Sequence, residues 1–443
     1  MKVKFSHTQI IAIGFLILIG LGTLLLSLPV ATADGVRAPL LTTLFTAVSA
    51  SCVTGLVLQD TATYWSAFGK TVIIVLIQIG GLGVMTISTL FFLLLRRRVG
   101  LRQREVLTES INTTAVGDIM RLIRMILIGT AVMELGGAAV LAIRFIPRFG
   151  PARGAAYALF HAISAFCNAG FDLMGVLEPY SSFTAFSGDW LVNLTLIVLI
   201  VVGGLGFIVW DDLLHHGVHI RRYRFQTRLV LVSTAVLLLG GALLLWLMER
   251  GHTAAGLPAG EQLLTSLFGS VTARTAGFNT VDTGAMSDGG KLVTMLLMFV
   301  GGSPGSTAGG VKTTTIAVIL VMAAGAVSHR DSPVLLGRRI PDGVLHKAVS
   351  VVVINLGFAL VGTLILCGGQ GLPLTDVLFE CFSAIGTVGM TTGITRDLNT
   401  LSALTIAVLM YAGRVGSVSF AMALVERKAR PAVTCPTENL TIG

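Results

Sequence analysis

Charge is what this sequence has least of. Only 12% of its 443 residues are Asp, Glu, Lys or Arg, about half the share of an ordinary soluble domain. A soluble fold of this length is therefore excluded, and so is a nucleic-acid footprint. The formal charge of +9 would need a folded soluble surface to display it. Cysteine is scarce as well. Cys52, Cys167, Cys367, Cys381 and Cys435 form an odd set without C-x-x-C spacing, which reads as small buried hydrophobes rather than a metal site or a disulfide framework. His215, His216 and His219 fall on one polar loop and His161 in a short apolar stretch. With no H-E-x-x-H and no nucleophile–base pairing in view, the chain lacks the marks of an enzyme.

Apolar residues are what it has in plenty. They make up 54% of the chain, and mean hydropathy is +0.86. Runs long enough to span a bilayer lie near 9–30, 69–95, 119–146, 189–213, 226–249, 290–326, 344–367 and 400–425. Between the members of each pair sits a shorter stretch, near 38–51, 153–166, 261–273 and 374–385. These stretches are too short to cross and fit re-entrant segments. Twenty Lys and Arg residues fall on the side of the N-terminus and eight on the other, which predicts both termini in the cytoplasm. Lys2, Lys4 and Ala31-Thr32-Ala33 also resemble a cleavable signal peptide. The apolar run between them is nearer 20 residues than the usual 7–15, and its removal would leave the first pair without its first span.

Self-similarity is the most informative feature. Four segments align without gaps around a glycine, and each supplies a candidate triplet: Val53, Thr54, Gly55; Asn168, Ala169, Gly170; Thr275, Ala276, Gly277; and Thr387, Val388, Gly389. The glycines are 115, 107 and 112 residues apart. Ten residues earlier stand Phe45, Phe160, Leu267 and Phe379, and six earlier Ser49, Ser164, Val271 and Ser383. The pattern predicts an all-α membrane protein of four pseudo-symmetric units around a central pore. Each unit runs span, pore helix, filter strand, span, giving eight transmembrane helices and four re-entrant helices. The unit boundaries fall at 1–104, 105–220, 221–331 and 332–443.

Physics gives each part a task in cation conduction. A half-helix ending at mid-membrane turns its carbonyl dipole toward a cation. Irregular backbone at that depth is tolerated where it lines a wet path, and its carbonyls can replace a hydration shell. Further glycines in the second spans, Gly80-Gly81-Leu82-Gly83, Gly203-Gly204-Leu205-Gly206, Gly301-Gly302 and Gly413, are explained well enough by close helix packing. The third unit's second span must break, because residues 300–310 hold five glycines and a proline.

Val53-Thr54-Gly55-Leu56 and Thr387-Val388-Gly389-Met390 look like shortened potassium-channel filters. With Gln78-Ile79-Gly80-Gly81-Leu82-Gly83, Phe160 to Phe166 and Gly413-Arg414-Val415-Gly416, the whole chain resembles the Trk/Ktr/HKT superfamily of potassium transporters, most of all the bacterial Ktr membrane subunits. That resemblance implies potassium uptake across the inner membrane, often stimulated by sodium, by a homodimer with one pore per subunit. It also implies a cytosolic nucleotide-binding ring as regulatory partner, so that nucleotide acts only through another chain. No metal beyond potassium is expected. Sodium symport, sodium activation and channel-like flux all fit the same filter.

The resemblance further makes residues 300–311 an intramembrane gate, with Gly301, Gly302, Ser303, Gly305, Ser306, Gly309, Gly310, Lys312 and Arg414 as its residues. Lys312 would tether the loop. Arg414 would be an electrostatic barrier facing the path, with an ion pair to Glu134 or Glu380 as the alternative. A phosphate-cradling loop at Gly305 to Lys312 fails the spacing, since Val311 separates Gly310 from Lys312. Arg274, at the position held elsewhere by Cys52, Cys167 and Gly386, is expected to brace the filter from behind. Asp60 and Asp282, five residues past their glycines, would either gather cations at the outer mouth or be plain loop residues. The Arg-rich segments near 96–104, 221–228 and 338–347 are either docking surfaces or topology signals.

Overall fold

Proline and small polar caps punctuate the chain with a regularity that sets its architecture. In the computed structural model, which describes residues 7–83, 119–328, 334–335 and 337–416, four short helices start at a proline. They are α2 (Leu40–Cys52), preceded by Pro39, α5 (Pro151–Phe166), α9 (Ala259–Thr272), preceded by Pro258, and α13 (Leu374–Gly386), preceded by Pro373. A proline there gives up no helical hydrogen bond. The helices that follow each short one start instead on a side-chain cap. Ser66 caps α3 (Ala67–Leu82), Asp189 α6 (Trp190–Leu205), Ser287 α10 (Asp288–Phe299) and Asn399 α14 (Thr400–Val415). In each case the side-chain oxygen accepts an otherwise orphaned N–H of the first turn.

Among the described residues, four helices are by themselves long and apolar enough to cross a bilayer: α1 (His7–Leu26), α4 (Ile119–Phe149), α8 (Phe225–Glu249) and α12 (Asp342–Gln370). Leu24, Val132, Leu239 and Leu364 stand fully outward on them. Such an apolar exterior is untenable in water and ordinary in lipid. A short helical turn at Thr61–Tyr64, the helix α7 (Phe207–His216), α11 (Thr313–Val327), short 3-10 turns such as Ile220–Arg222, and a hairpin of two-residue strands, β1 (Val334–Leu335) with β2 (Arg338–Arg339), make up the rest of the described elements.

Two expectations change. The run 189–213 is not one straight span: it breaks at Gly206, and α7 leaves α6 at 98°. Gly206 has φ 97°, ψ 140°, and Gly83 and Gly416 end α3 and α14 in nearly the same conformation. A break is therefore not peculiar to residues 300–310. The rest of 69–95, the Arg-rich stretch 96–104 and the C-terminal tail lie outside the described residues.

The third short helix is also displaced by one residue. Phe268 and not Leu267 is fully buried beside Phe45, Phe160 and Phe379. Likewise Thr272, not Val271, matches Ser49, Ser164 and Ser383. Ser164 donates to the Phe171 carbonyl at 2.7 Å and Thr272 to that of Phe278 at 2.8 Å. Ser49 and Ser383 accept from the N–H groups of Gly55 and Gly389 at 3.0 and 3.1 Å. Each hydroxyl ties the end of its helix to the segment that follows. A gapless alignment on the glycines hides this shift.

Candidate functional site

The four glycine segments meet. A Cβ built on Gly55 would fall 2.6 Å from the Ala169 carbonyl oxygen and 3.0 Å from the Gly170 Cα. From Gly170 the same construction reaches the Ala276 oxygen at 2.7 Å, and from Gly277 the Val388 oxygen at 2.4 Å. From Gly389 it reaches the Thr54 oxygen at 2.1 Å. The contacts run first to second, second to third, third to fourth and back to first, so the segments close a ring. All four glycines have positive φ, between 70° and 98°. Two residues earlier Val53, Asn168, Thr275 and Thr387 also adopt positive φ, at 52–76°, an unfavourable region for β-branched residues. That conformation is held from behind in part by the hydroxyl ties of the short helices. The Asn168 amide and the Thr275 hydroxyl, 3.1 Å apart, link the second segment to the third.

On one side the ring opens into a cavity of about 650 Å³ lined by all four glycines. Asp60, Asp172, Glu178 and Asp282 line it against a single base, Arg396, which lies over the Tyr180 ring at 4.0 Å. Asp60 is thus both a mouth residue and a structural cap: its carboxylate accepts from the Thr63 N–H at 2.9 Å and the Tyr180 N–H at 3.0 Å. Sequence reasoning missed Asp172, although it stands two residues past Gly170. Burial pushes its carboxyl up to about 7, and repulsion from Asp60 adds to the rise. The Met174 N–H and the Ser182 hydroxyl oppose it.

On the other side lies the loop between α10 and α11. Val300 and Val311 pair at its base, with the Gly301 N–H on the Val311 carbonyl at 2.9 Å and the Thr313 N–H on that of Gly302 at 3.1 Å. From there the loop crosses to opposite members of the ring. The Thr307 hydroxyl donates to the Phe166 carbonyl at the end of α5, at 3.1 Å. Gly309 packs against the Thr387 side chain and Gly310 against the Gly386 carbonyl. Ser303 and Thr307 spend their N–H groups on the carbonyls of Gly204 and Gly203, at 3.0 and 3.2 Å, and Phe207 donates to Gly305 at 2.8 Å. These bonds fasten the loop to the end of α6 and the start of α7.

Three cations hold the loop by its carbonyls. Lys312 Nζ donates to Ala308 at 2.7 Å and Gly309 at 3.3 Å, and Arg274 Nη2 reaches Gly301 at 3.5 Å. Arg414 donates to Thr307 with one nitrogen and to Gly80 and Gly81 with another, joining the loop to the end of α3. The ion-pair alternative for Arg414 is thereby replaced. Glu134 accepts instead from Gln78 at 3.0 Å, and Glu380 from the hydroxyls of Thr391 and Thr395.

The remaining candidates are structural. Gly80, Gly203 and Gly413 each meet the carbonyl four residues before a ring glycine, those of Ser51, Phe166 and Ile385, closer than any Cβ would allow. Close packing accounts for them. His161 uses both ring nitrogens, on the Tyr157 carbonyl at 2.7 Å and the Leu173 N–H at 3.0 Å, so it is packed rather than free to ligate.

A lipid-facing bundle of helices with a carbonyl-rimmed ring at its centre, acids on one side and tethered cations on the other, is a membrane transporter for cations. The chain belongs to the TrkH family of cation transport proteins, whose pattern matches residues 4–429, and this is a family of ion transporters rather than enzymes. It is 38% identical to the potassium/sodium uptake protein NtpJ of Enterococcus hirae, over 99% of this chain and 98% of that one. It is also 38% identical to the Ktr system potassium uptake protein B of Bacillus subtilis, over 94% and 93% of the two chains. The crystal structure of the potassium transporter TrkH from Vibrio parahaemolyticus shares the fold, with TM-score 0.75 and 18% identity over 96% of this chain and 86% of that one.

Proposed function

We propose that this chain carries potassium into the cell through the ring, by way of four single-glycine filter strands. The observation that carries the reading is the cyclic closure of Gly55, Gly170, Gly277 and Gly389, each against the carbonyl of the residue before the next glycine. Positive φ at two alternate positions per strand is what a short backbone needs to turn neighbouring carbonyls toward one axis. Thr54 and Thr387 add buried hydroxyls with no hydrogen-bond partner among the described residues, polar atoms that a dehydrated cation or its water would satisfy. The names of the relatives supply potassium as the ion and sodium as a second one.

In this reading the four units each contribute two spans and one re-entrant helix, and both termini are cytoplasmic. The 300–311 loop, together with Lys312 and Arg414, gates the ring from below. A homodimer governed by a separate nucleotide-binding ring fits the naming of the Bacillus relative as part of a system.

The test is growth at low potassium of cells that lack uptake systems, comparing the chain with Gly55→Ser. Rescue by the chain, and a changed rubidium-to-sodium flux ratio in proteoliposomes of the variant at equal expression, are expected. An unchanged ratio removes the filter assignment. Deleting several residues between Gly302 and Gly310 should raise flux, and unaltered flux would remove the gate.

A further inference from the structure

The helix α7 is attached to the loop and has no counterpart in the expected architecture. It begins where α6 ends, turns by 98°, and buries its first turn, Phe207 to Trp210. The Asp212 carboxylate then accepts from the Arg224 N–H at 2.7 Å, at the start of the membrane-crossing helix α8. The far end of α7 is thus level with the point where α8 enters the membrane, and it runs across the bundle rather than along it. Beyond that point Leu214, Val218 and Ile220 are 72%, 89% and 64% exposed. Arg221 and Arg222 follow directly and are exposed too, with no carboxylate partner among the described residues. Large apolar side chains beside guanidiniums without a carboxylate partner among the described residues, at the end of α7 and in the 3-10 turn Ile220–Arg222 that follows it, are the composition of a segment seated at a lipid interface. The basic pair fits anionic headgroups, which attract such residues near the surface.

At its other end α7 is bonded to the gate. Phe207 donates to Gly305, and the two residues before Leu205 accept from Ser303 and Thr307. The loop cannot leave its seat without breaking these bonds, of which the one from Phe207 lies on α7 and the two to Gly203 and Gly204 lie at the end of α6 next to it.

We infer that α7 is a lipid-reading lever. Leu214, Val218 and Ile220 enter the inner leaflet, Arg221 and Arg222 hold anionic phospholipid headgroups, and that hold favours the seated loop. The inference rests on the gate reading of residues 300–311. Its sign follows from the arrangement: what keeps α7 in place keeps the loop across the ring, so anionic lipid slows flux. A ligand shifts such an equilibrium only through its preference for one state, and here the preference is for the position described.

The experiment reconstitutes the full chain in vesicles of phosphatidylcholine alone and of phosphatidylcholine mixed with phosphatidylglycerol, and follows rubidium entry. Phosphatidylglycerol should slow the wild type several-fold and leave Arg221→Gln/Arg222→Gln unaffected. Native mass spectrometry should find less phosphatidylglycerol retained on that double variant. Inorganic phosphate added to phosphatidylcholine vesicles should change nothing, which separates a lipid headgroup from a free anion. Equal slowing of wild type and double variant overturns the inference. So does a double variant that differs from wild type only when cytosolic protein is added, because that makes the surface a protein dock. A loop-shortened variant separates the two readings. Fast flux in both lipids supports the lever. Flux equal to wild type with arginine-dependent lipid retention intact removes the gate and the lever with it, and leaves the lipid contact.

Discussion

The carbonyl oxygen of Thr54 occupies the place a side chain on Gly389 would need, 2.1 Å from an ideal Cβ. This is the tightest of the four ring contacts and the one that closes the circle between the ends of the chain. Gly389 also has φ 96°, so a substitution there meets both backbone strain and a backbone atom that cannot step aside. Gly389→Ala should therefore displace the Thr54 carbonyl from the ring. The expected outcome is potassium uptake lowered at least tenfold, with sodium entry reduced less, measured as separate rubidium and sodium fluxes in proteoliposomes. Equal loss of both ions at unchanged protein yield would show a misfolded chain rather than an altered ring.

Thr272 offers a test of how the third segment is held. Its hydroxyl donates to the buried Phe278 carbonyl at 2.8 Å. Thr272→Val leaves that carbonyl unpaired, at a cost of about 1–3 kcal/mol. Val271→Thr places a hydroxyl where the other segments suggest one by gapless alignment, yet it should recover nothing in the Thr272→Val background. A lowered melting temperature in detergent for the first variant, unrescued by the second, is the expected result. Rescue would restore the alignment that places Val271 with the three serines.

The ring was legible in the sequence because each glycine is demanded locally, by a helix end and a positive φ that follow one another within a few residues. The short helices were legible for the same reason, and their initial Pro39, Pro151, Pro258 and Pro373 would have marked the boundaries more sharply. What could not be read was the partner of Arg414. A buried arginine suggests an acid, but three backbone carbonyls satisfy it here, and carbonyls leave no trace in a sequence. The bend at Gly206 was hidden in a similar way. Its freed backbone groups are satisfied by residues 303–307 from a distant part of the chain, so the hydropathy of 189–213 reads as continuous. The role of Asp172 as a mouth residue depends on a cavity that four separate segments enclose.

Arg414 and Lys312 grip neighbouring carbonyls of one loop, those of Thr307, Ala308 and Gly309. Each charge-assisted bond is worth about 1.5–3 kcal/mol, so losing either cation should shift the seated loop toward release by roughly tenfold or more. Arg414→Gln is expected to raise flux more than Lys312→Met, since it also frees the loop from Gly80 and Gly81. The two effects should not add, because once the loop is released the second grip holds nothing. Arg414→Lys should behave like Arg414→Gln, as one ammonium cannot span the same three acceptors. A double-mutant cycle on rubidium flux measures the coupling, and full additivity would mean that the two cations act on different elements.

The acids of the mouth give the last prediction its sign. Asp172 holds its proton up to about pH 7, so its charge is present above that pH and disappears as the outer pH falls through it. Asp60, Glu178 and Asp282 share the cavity and Arg396 opposes them, so loss of one charge weakens but does not abolish the attraction. Uptake at low outer potassium should therefore decline between pH 8 and pH 6, the range flanking about 7, with little change at saturating potassium. Asp172→Asn should lack most of this pH dependence and need more potassium for half-maximal uptake, an effect that added salt screens. Stability runs the other way. The raised pKa means that the folded chain binds this proton more tightly than the unfolded one, so ionising the group costs stability as pH rises toward 7. Asp172→Asn should accordingly melt higher than wild type at pH 8, above that value, while transporting less at low potassium, a combination that a merely structural carboxylate would not produce.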